Sequence, residues 1–268
     1  MDRLVLLGTG TCRLMESRRA SSVLLELGER RIVYDMGRGI ADRLASLGLR
    51  QDDLCHVVIS HFHPDHVSDL VPFLHAAAWS PSDPRSLDLH LYGPPGLGEL
   101  VCGMQRIYGV AALGQSSWAL HVHEQEGPAL RIDGLDAEFV HLPPAGNRGL
   151  RLRHNGHCIA LTGDSNFHAD EVAFLRDVDL AIFDSGHLTD DEIVELAVRS
   201  NPRRLVCSHV YRELDVTALQ ARAVARGFTG RLFMGQDLEV WSLGPSVEPA
   251  APIVVEMPVD TEMPVDTE

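Results

Sequence analysis

His61-Phe62-His63-Pro64-Asp65-His66 is the stretch around which the rest of this chain is arranged. The apolar run at 54–59 leads into it and reads as a buried strand; the amphipathic run at 66–79 follows and reads as a helix. Four potential metal ligands therefore share one strand-to-helix turn. His61 and His63, two apart, turn their imidazoles the same way, while Asp65 and His66 sit at the helix start and aim at a second point nearby. That arrangement suits two metal ions better than one. Imidazole with carboxylate favours zinc, with iron or manganese compatible. Histidines are more often surface or satisfied core groups, and this chain has 14. Their concentration with an aspartate on one turn favours metal binding.

At 268 residues and 45% apolar composition, the chain has enough material for one large domain with a sizeable core. No apolar run is long enough to span a membrane. The start, Met1-Asp2-Arg3 before Leu4, is charged and short for a signal peptide and reads as the approach to a first strand. Five cysteines stand singly at 12, 55, 102, 158 and 207, an odd number without a paired motif. Reduced thiols in a cytoplasmic protein are the expectation. Net charge is −15; six of the acids, and no base, lie in residues 245–268, which leaves residues 1–244 at −9. All 23 basic residues are arginine. An acidic, lysine-free surface argues against broad nucleic-acid binding, which requires phosphate neutralisation.

Gly8-Thr9-Gly10-Thr11 invites a dinucleotide-binding reading, but the third glycine position holds Arg13, so a tight turn is preferred. Strands at 22–27 and 31–34 form a hairpin ending at Asp35-Met36-Gly37; a helix at 40–47 stops at Gly48. Beyond the metal loop come a strand at 87–92, a helix to about residue 108, and short strands near 119–123, 129–132 and 136–141, the last delivering His141. Strands 150–153 and 158–161 pair across Asn155-Gly156 and end at Asp164, a carboxylate placed for a metal or for capping the helix near 169. A strand at 179–183 leads to Asp184-Ser185-Gly186-His187, and Thr189 caps a helix. A strand at 204–207 delivers His209; a helix near 215–226 and strands near 231–234 and 238–241 complete a domain of residues 1–244. Residues 245–268 repeat Glu-Met-Pro-Val-Asp-Thr and read as a disordered acidic tail, dispensable for catalysis.

Candidate ligands thus follow successive strands, as an open α/β site requires. With these residues in view, the chain resembles the metallo-β-lactamase superfamily, and within it the ribonuclease-Z-like branch. The resemblance covers residues 1–244 and includes the opening Leu-Gly-Thr-Gly-Thr and the Asp35-Met36-Gly37 turn. It implies a four-layer αββα sandwich of α/β class. It also implies that His61, His63 and His141 hold one ion, that Asp65, His66 and His209 hold the other, and that Asp164 bridges them. Asp35 is either an acceptor for a ligand histidine or an ordinary turn aspartate.

Two divalent ions, Asp65, Asp164 and a bridging hydroxide would leave a net positive centre in an acidic protein, suited to a small anionic ester. A phosphodiester is the favoured substrate, attacked by metal-bound hydroxide. Asp65 is a candidate to steer the hydroxide's proton, Arg148 a candidate contact to the anion, and His187 either a general acid that Asp184 would keep protonated or a loop histidine that faces solvent or packs beside the ligands. Ribonuclease Z enzymes carry a basic, Gly-rich arm for tRNA between the third histidine and the bridging aspartate. Only 22 residues separate His141 from Asp164, so no arm fits there. Residues 188–208 contain no histidine, so the family's usual second catalytic histidine is also missing. Nucleic acid and membrane are therefore not the expected partners, and a homodimer is allowed because relatives form dimers. Alternatives within the fold are a lactonase, arylsulfatase or thioesterase. More distant are a tRNA 3′-processing endonuclease, an iron-dependent redox enzyme and a binding module without catalysis.

Overall fold

In a computed structural model, which describes residues 2–109, 117–144, 146–244 and 249–253, two seven-stranded sheets pack face to face. The first holds β1 (Arg3–Gly8), β2 (Ser22–Leu27), β3 (Arg30–Tyr34), β4 (His56–Val58), β5 (Leu89–Gly93), β6 (Leu120–Glu124) and, from the far end of the chain, β14 (Val240–Ser242). The second holds β7 (Ala129–Ile132), β8 (Leu135–His141), β9 (Arg148–His154), β10 (His157–Leu161), β11 (Leu180–Asp184), β12 (Arg204–Ser208) and β13 (Arg231–Met234). Each sheet is antiparallel along one half and parallel along the other: β3 to β6 run parallel in the first, and β10 to β13 in the second.

Alternation along the strands builds the layers. Leu4 and Leu6 face the inter-sheet core, while Val5 and Leu7 face outward. The outer face of the first sheet is covered by α1 (Ile40–Ser46), α3 (Leu70–Trp79) and α4 (Leu97–Tyr108), through residues such as Leu44, Phe73 and Val101. The outer face of the second is covered by α5 (Ala169–Phe174), α6 (Asp190–Ser200) and α7 (Val216–Ala225), through Val172, Ile193 and Leu219. The result is the expected αββα sandwich. β11 and β12, flanked on both faces, are buried at every residue, as parallel strands inside an α/β sandwich are.

Three local expectations change. The helix expected over 66–79 is two elements, α2 (Pro64–Val67) and α3, separated at Ser68 and Asp69. Asp69 is drawn out of the helical path by tertiary bonds: its amide donates to the Met36 carbonyl at 2.9 Å and its carboxylate accepts from the Ala41 amide at 3.0 Å. The strand before the metal loop is only His56–Val58; Ile59 still donates to the Tyr92 carbonyl at 2.7 Å, and the chain bends at Ser60. The helix after Asp164 is capped by His168, whose ring accepts from the Asp170 and Glu171 amides, which leaves Asp164 free for another task. The Asn155-Gly156 turn forms as expected, with both residues left-handed (φ 47° and 80°).

Contact with the domain also continues past Gly244. Ala250 bridges Val240 in antiparallel fashion, Ile253 donates to the Leu238 carbonyl at 3.0 Å, and the Ile253 side chain packs on the outer core. Residues 249–253 thus line the edge of β14, beyond the boundary expected at 244. The repeat in the tail lies outside the described residues.

Candidate metal centre

The residues of the hexapeptide are positioned by the end of β4 and the start of α2. Pro64 occupies the first helical position, where its fixed φ suits the helix and its missing N–H costs nothing. It also holds His63 extended (φ −62°, ψ 145°), so the chain enters the helix at a sharp angle. A Cβ on Gly37 would run into the Asp65 carbonyl, so the Asp35 turn can lie against the metal loop only because that residue is glycine. Asp35 and His209 both adopt left-handed backbone conformations (φ 64° and 52°), a local strain held by their surroundings.

Asp35 is the organiser of the floor. Its carboxylate accepts from the Ser60 amide at 2.7 Å and the Ser60 hydroxyl at 2.8 Å, and it lies 2.7 Å from His66 Nδ1. The Ser60 hydroxyl also reaches His61 Nδ1 at 2.9 Å. Both imidazoles are therefore held at Nδ1 and direct Nε2 inward. Asp35 thus faces Nδ1 of His66, a candidate ligand, as well as forming the turn, and Ser60 is a partner that the sequence reading missed although it adjoins His61.

Asp164, just beyond β10, lies at the centre. Its Oδ2 is 3.6 Å from His61 Nε2 and 3.9 Å from His63 Nδ1; its Oδ1 is 3.0 Å from His66 Nε2 and 3.3 Å from His209 Nε2. Asp65 Oδ2 completes the second side, 3.4 Å from His209 Nε2 and 3.9 Å from His66 Nε2. Three sets of donors converge closely enough to share an ion: His61, His66 and Asp164; Asp65, His66 and His209; and Asp164, Asp184, His187 and His209.

These residues fit divalent metal. His61 Nε2, His66 Nε2 and Asp164 Oδ1 are buried and lack a hydrogen-bond partner in proper alignment, even though His66 and Asp164 stand 3.0 Å apart. A lone pair facing a carboxylate oxygen in a buried site calls for a cation between them. With a proton as that cation, burial opposes charge on His66, yet Asp35 and Asp164 outweigh it and raise its pKa well above the usual value. Burial likewise opposes charge on His209, but Asp184, Asp65 and Asp164 lift it to about 10. His61 is instead pushed down to about 4, by burial first and then by charge on His66. Burial works to raise Asp164, but its imidazole neighbours, His66 first, hold it below the usual carboxylate range.

The expected ligands do not all gather equally. His61, Asp65, His66, Asp164 and His209 converge. His63 approaches Asp164, but its side chain is 66% exposed. His141, at the end of β8, is exposed and joins none of the three donor sets among the described residues. Arg148 is not on a loop, as its surroundings in the sequence suggested, but begins β9 directly opposite His141. Its Nε is buried without a partner, while its carbonyl accepts from the Tyr34 hydroxyl at 2.7 Å.

His187 lies beside this centre, its ring stacked on that of His209 with centroids 5.3 Å apart. Asp184 Oδ2 is 2.5 Å from His187 Nδ1, and Asp184 Oδ1 is 3.3 Å from His209 Nδ1. The hydrogen bond to Asp184 is the chief reason that the His187 pKa is raised, against the opposing effect of burial. The link from Asp184 to His209 was invisible in the sequence; it exists because β11 and β12 pair in parallel with Asp184 opposite Ser208, the residue before His209. Tyr211, which meets both rings edge-on at 5.7 and 5.2 Å, carried no sequence signal at all.

The sequence pattern of the β-lactamase superfamily domain matches residues 30–225. A ribonuclease Z from Mycobacterium avium is 29% identical, over 89% of this chain and 97% of its own length. Among solved structures, the metallo-β-lactamase fold protein YhfI from Bacillus subtilis superposes with a TM-score of 0.74 at 19% identity, covering 90% of this chain and 98% of its own. The short form of human tRNase Z superposes with a TM-score of 0.69 at 18% identity, covering 90% and 99%. Among the described residues no helix is long and apolar enough to cross a membrane. Fold, family match and the convergent donor sets agree: the chain belongs to the β-lactamase superfamily and is similar to ribonuclease Z enzymes.

Proposed function

We propose that this protein hydrolyses a small phosphodiester at a centre of two divalent ions, most simply zinc, in the cytoplasm. The observation that carries the reading is the division of labour at Asp164. One carboxylate oxygen faces His61 and His63, and the other faces His66 and His209. A carboxylate split between two groups of imidazoles would hold one ion at each oxygen, which supports two ions rather than one. When bound, the ions supply an activated water and offset the charge on the phosphoryl oxygens.

The chain's own groups do the rest. Asp65, beside His66 and His209, would take up the proton of the attacking water. His187 donates a proton from its free nitrogen to the departing oxygen, while Asp184 at 2.5 Å fixes the ring and favours its protonated form. His141 and Arg148, paired across β8 and β9, frame the more open side, and the guanidinium there suits an anionic ester. The 22 residues between His141 and Asp164 are taken up by the β9–β10 hairpin, which has no room for a tRNA-binding arm. That favours a small substrate over tRNA, as does the −9 charge of residues 1–244.

The test is a substrate panel on zinc-loaded protein: an aryl phosphodiester, a sulfate ester, a lactone, a thioester and a precursor tRNA. The reading expects the phosphodiester to be turned over fastest. Faster turnover of lactone or thioester, or specific 3′-end cleavage of the precursor tRNA at matching rates, would replace it.

A further inference from the structure

A second group of histidines lies away from this centre. β4 begins with His56, at the opposite end of the strand from the loop that carries His61. His56 is in register with His90 on β5, and His90 with His121 on β6. Two residues further along, Tyr92 on β5 is opposite His123 on β6. Because side chains alternate along a strand, all five rings stand on one face. They form a ladder: His56 and His90 have centroids 5.2 Å apart, His90 and His121 4.6 Å, Tyr92 and His123 4.6 Å, and all three pairs lie within 20° of parallel. All four imidazoles are partly solvent-accessible, and β6 is the edge strand of its sheet.

Across the diagonal of this ladder, His90 Nδ1 and His123 Nε2 approach to 3.0 Å and share a hydrogen bond. Two imidazole ligands on a tetrahedral zinc-sized ion, with metal–nitrogen bonds of about 2.0–2.1 Å, hold their nitrogens about 3.3 Å apart. The spacing is thus within a few tenths of an ångström of that of two ligands on one ion, which the pair would hold once the rings turn their lone pairs off the shared line. Burial lowers the pKa of both His90 and His123, and the neighbouring imidazoles reinforce the shift, so both rings offer lone pairs at neutral pH. Negative charge is close by: Asp88, which lies 2.9 Å from His121 Nε2, and Asp133 in the β7–β8 turn, whose field reaches His56 and His90. The described residues do not complete a three-donor set around the same point.

The geometry points to a peripheral transition-metal site on this face, with His90 and His123 as its two protein ligands and water in the remaining positions. An open bis-imidazole site of this kind selects late first-row ions, Ni²⁺ and Cu²⁺ most strongly, over Mg²⁺ or Ca²⁺.

The experiment uses full-length protein loaded with zinc and freed of excess, then dialysed against Ni²⁺ with nickel and zinc counted together by elemental analysis. One nickel per chain beyond the retained zinc is expected. His90→Ala and His123→Gln should each weaken that nickel by at least about tenfold, the scale on which changes around a metal tell. His157→Ala, at a histidine elsewhere on the surface, should leave it unchanged, and melting curves check that each variant is folded. Nickel uptake matched by zinc loss, no uptake, or an extra nickel that persists in both folded variants would overturn the site and leave the ladder as ring packing.

Discussion

The two sides of the candidate metal centre are built differently. On the Asp65–His66–His209 side every group is buried or nearly so, and both imidazoles are backed by a carboxylate: Asp35 stands behind His66, and Asp184 behind His209. On the other side only His61 is comparably enclosed, its Nδ1 reaching the Ser60 hydroxyl. His63 is mostly exposed, and His141 stands apart from the converging donors. The first side is preorganised by the fold, whereas on the second His63 and His141 would have to draw in to hold an ion. Rigidity on one side and access on the other is what a hydrolytic centre needs, since substrate has to reach one face while the ligands behind it stay fixed.

The comparison can be broken most decisively at the bridge. Asp164→Ala removes the one residue common to both sides. Ion content should fall below two per chain and phosphodiester turnover should drop by at least about a hundredfold. Native mass spectrometry that still shows two tightly held ions would end the bridging assignment. His141→Ala tests the open side alone: one ion should be lost and the other kept, because three protein ligands per ion leave little redundancy. Loss of both, or of neither, would erase the distinction between the sides.

His187→Ala probes the proton donor beside the buried side. An alkyl or nucleoside ester should slow by about a hundred- to ten-thousandfold, whereas a p-nitrophenyl ester, whose leaving group needs no proton, should be barely affected. Ion content should not change; equal losses on both esters would make His187 a binding or supporting residue. Asp35→Asn weakens the backing of His66 without removing bulk. The buried ion should bind about 10- to 100-fold more weakly, read by competition with a chelator, and the open-side ion should change less.

The smallest effect concerns what lies behind Asp184. Glu171 is fully buried, neither of its carboxylate oxygens has a hydrogen-bond partner, and burial, then Asp184, raises its pKa to about 8. A carboxyl whose pKa rises on folding favours the folded state while it stays neutral. That contribution is complete below the ordinary value of 4.5 and is lost as pH climbs through about 8. Glu171→Gln keeps the shape and removes the titration. The melting temperature of the parent should therefore fall relative to the variant between roughly pH 5 and 9. Parallel curves over that range would show that Glu171 is not held neutral.

The types and order of the candidate donor residues can be read from the chain alone. The hexapeptide, Asp164 and His209 are legible because a strand, a tight turn and a helix start are local, and ligand types declare themselves. The same holds for the Asn155-Gly156 hairpin and the Thr189 cap. Only the tertiary structure decided what depends on register between strands distant in the chain. It put Asp184 beside His209 through the pairing of β11 with β12, and it aligned His56, His90 and His121 across three strands. It also split the helix after the metal loop by drawing Asp69 to Met36 and Ala41, and brought residues 249–253 back along β14. The physical reason is common to these cases. Spacing along the chain sets which way a side chain points within its own element. Which partner it meets depends on hydrogen-bond registers and packing contacts formed between segments tens to hundreds of residues apart.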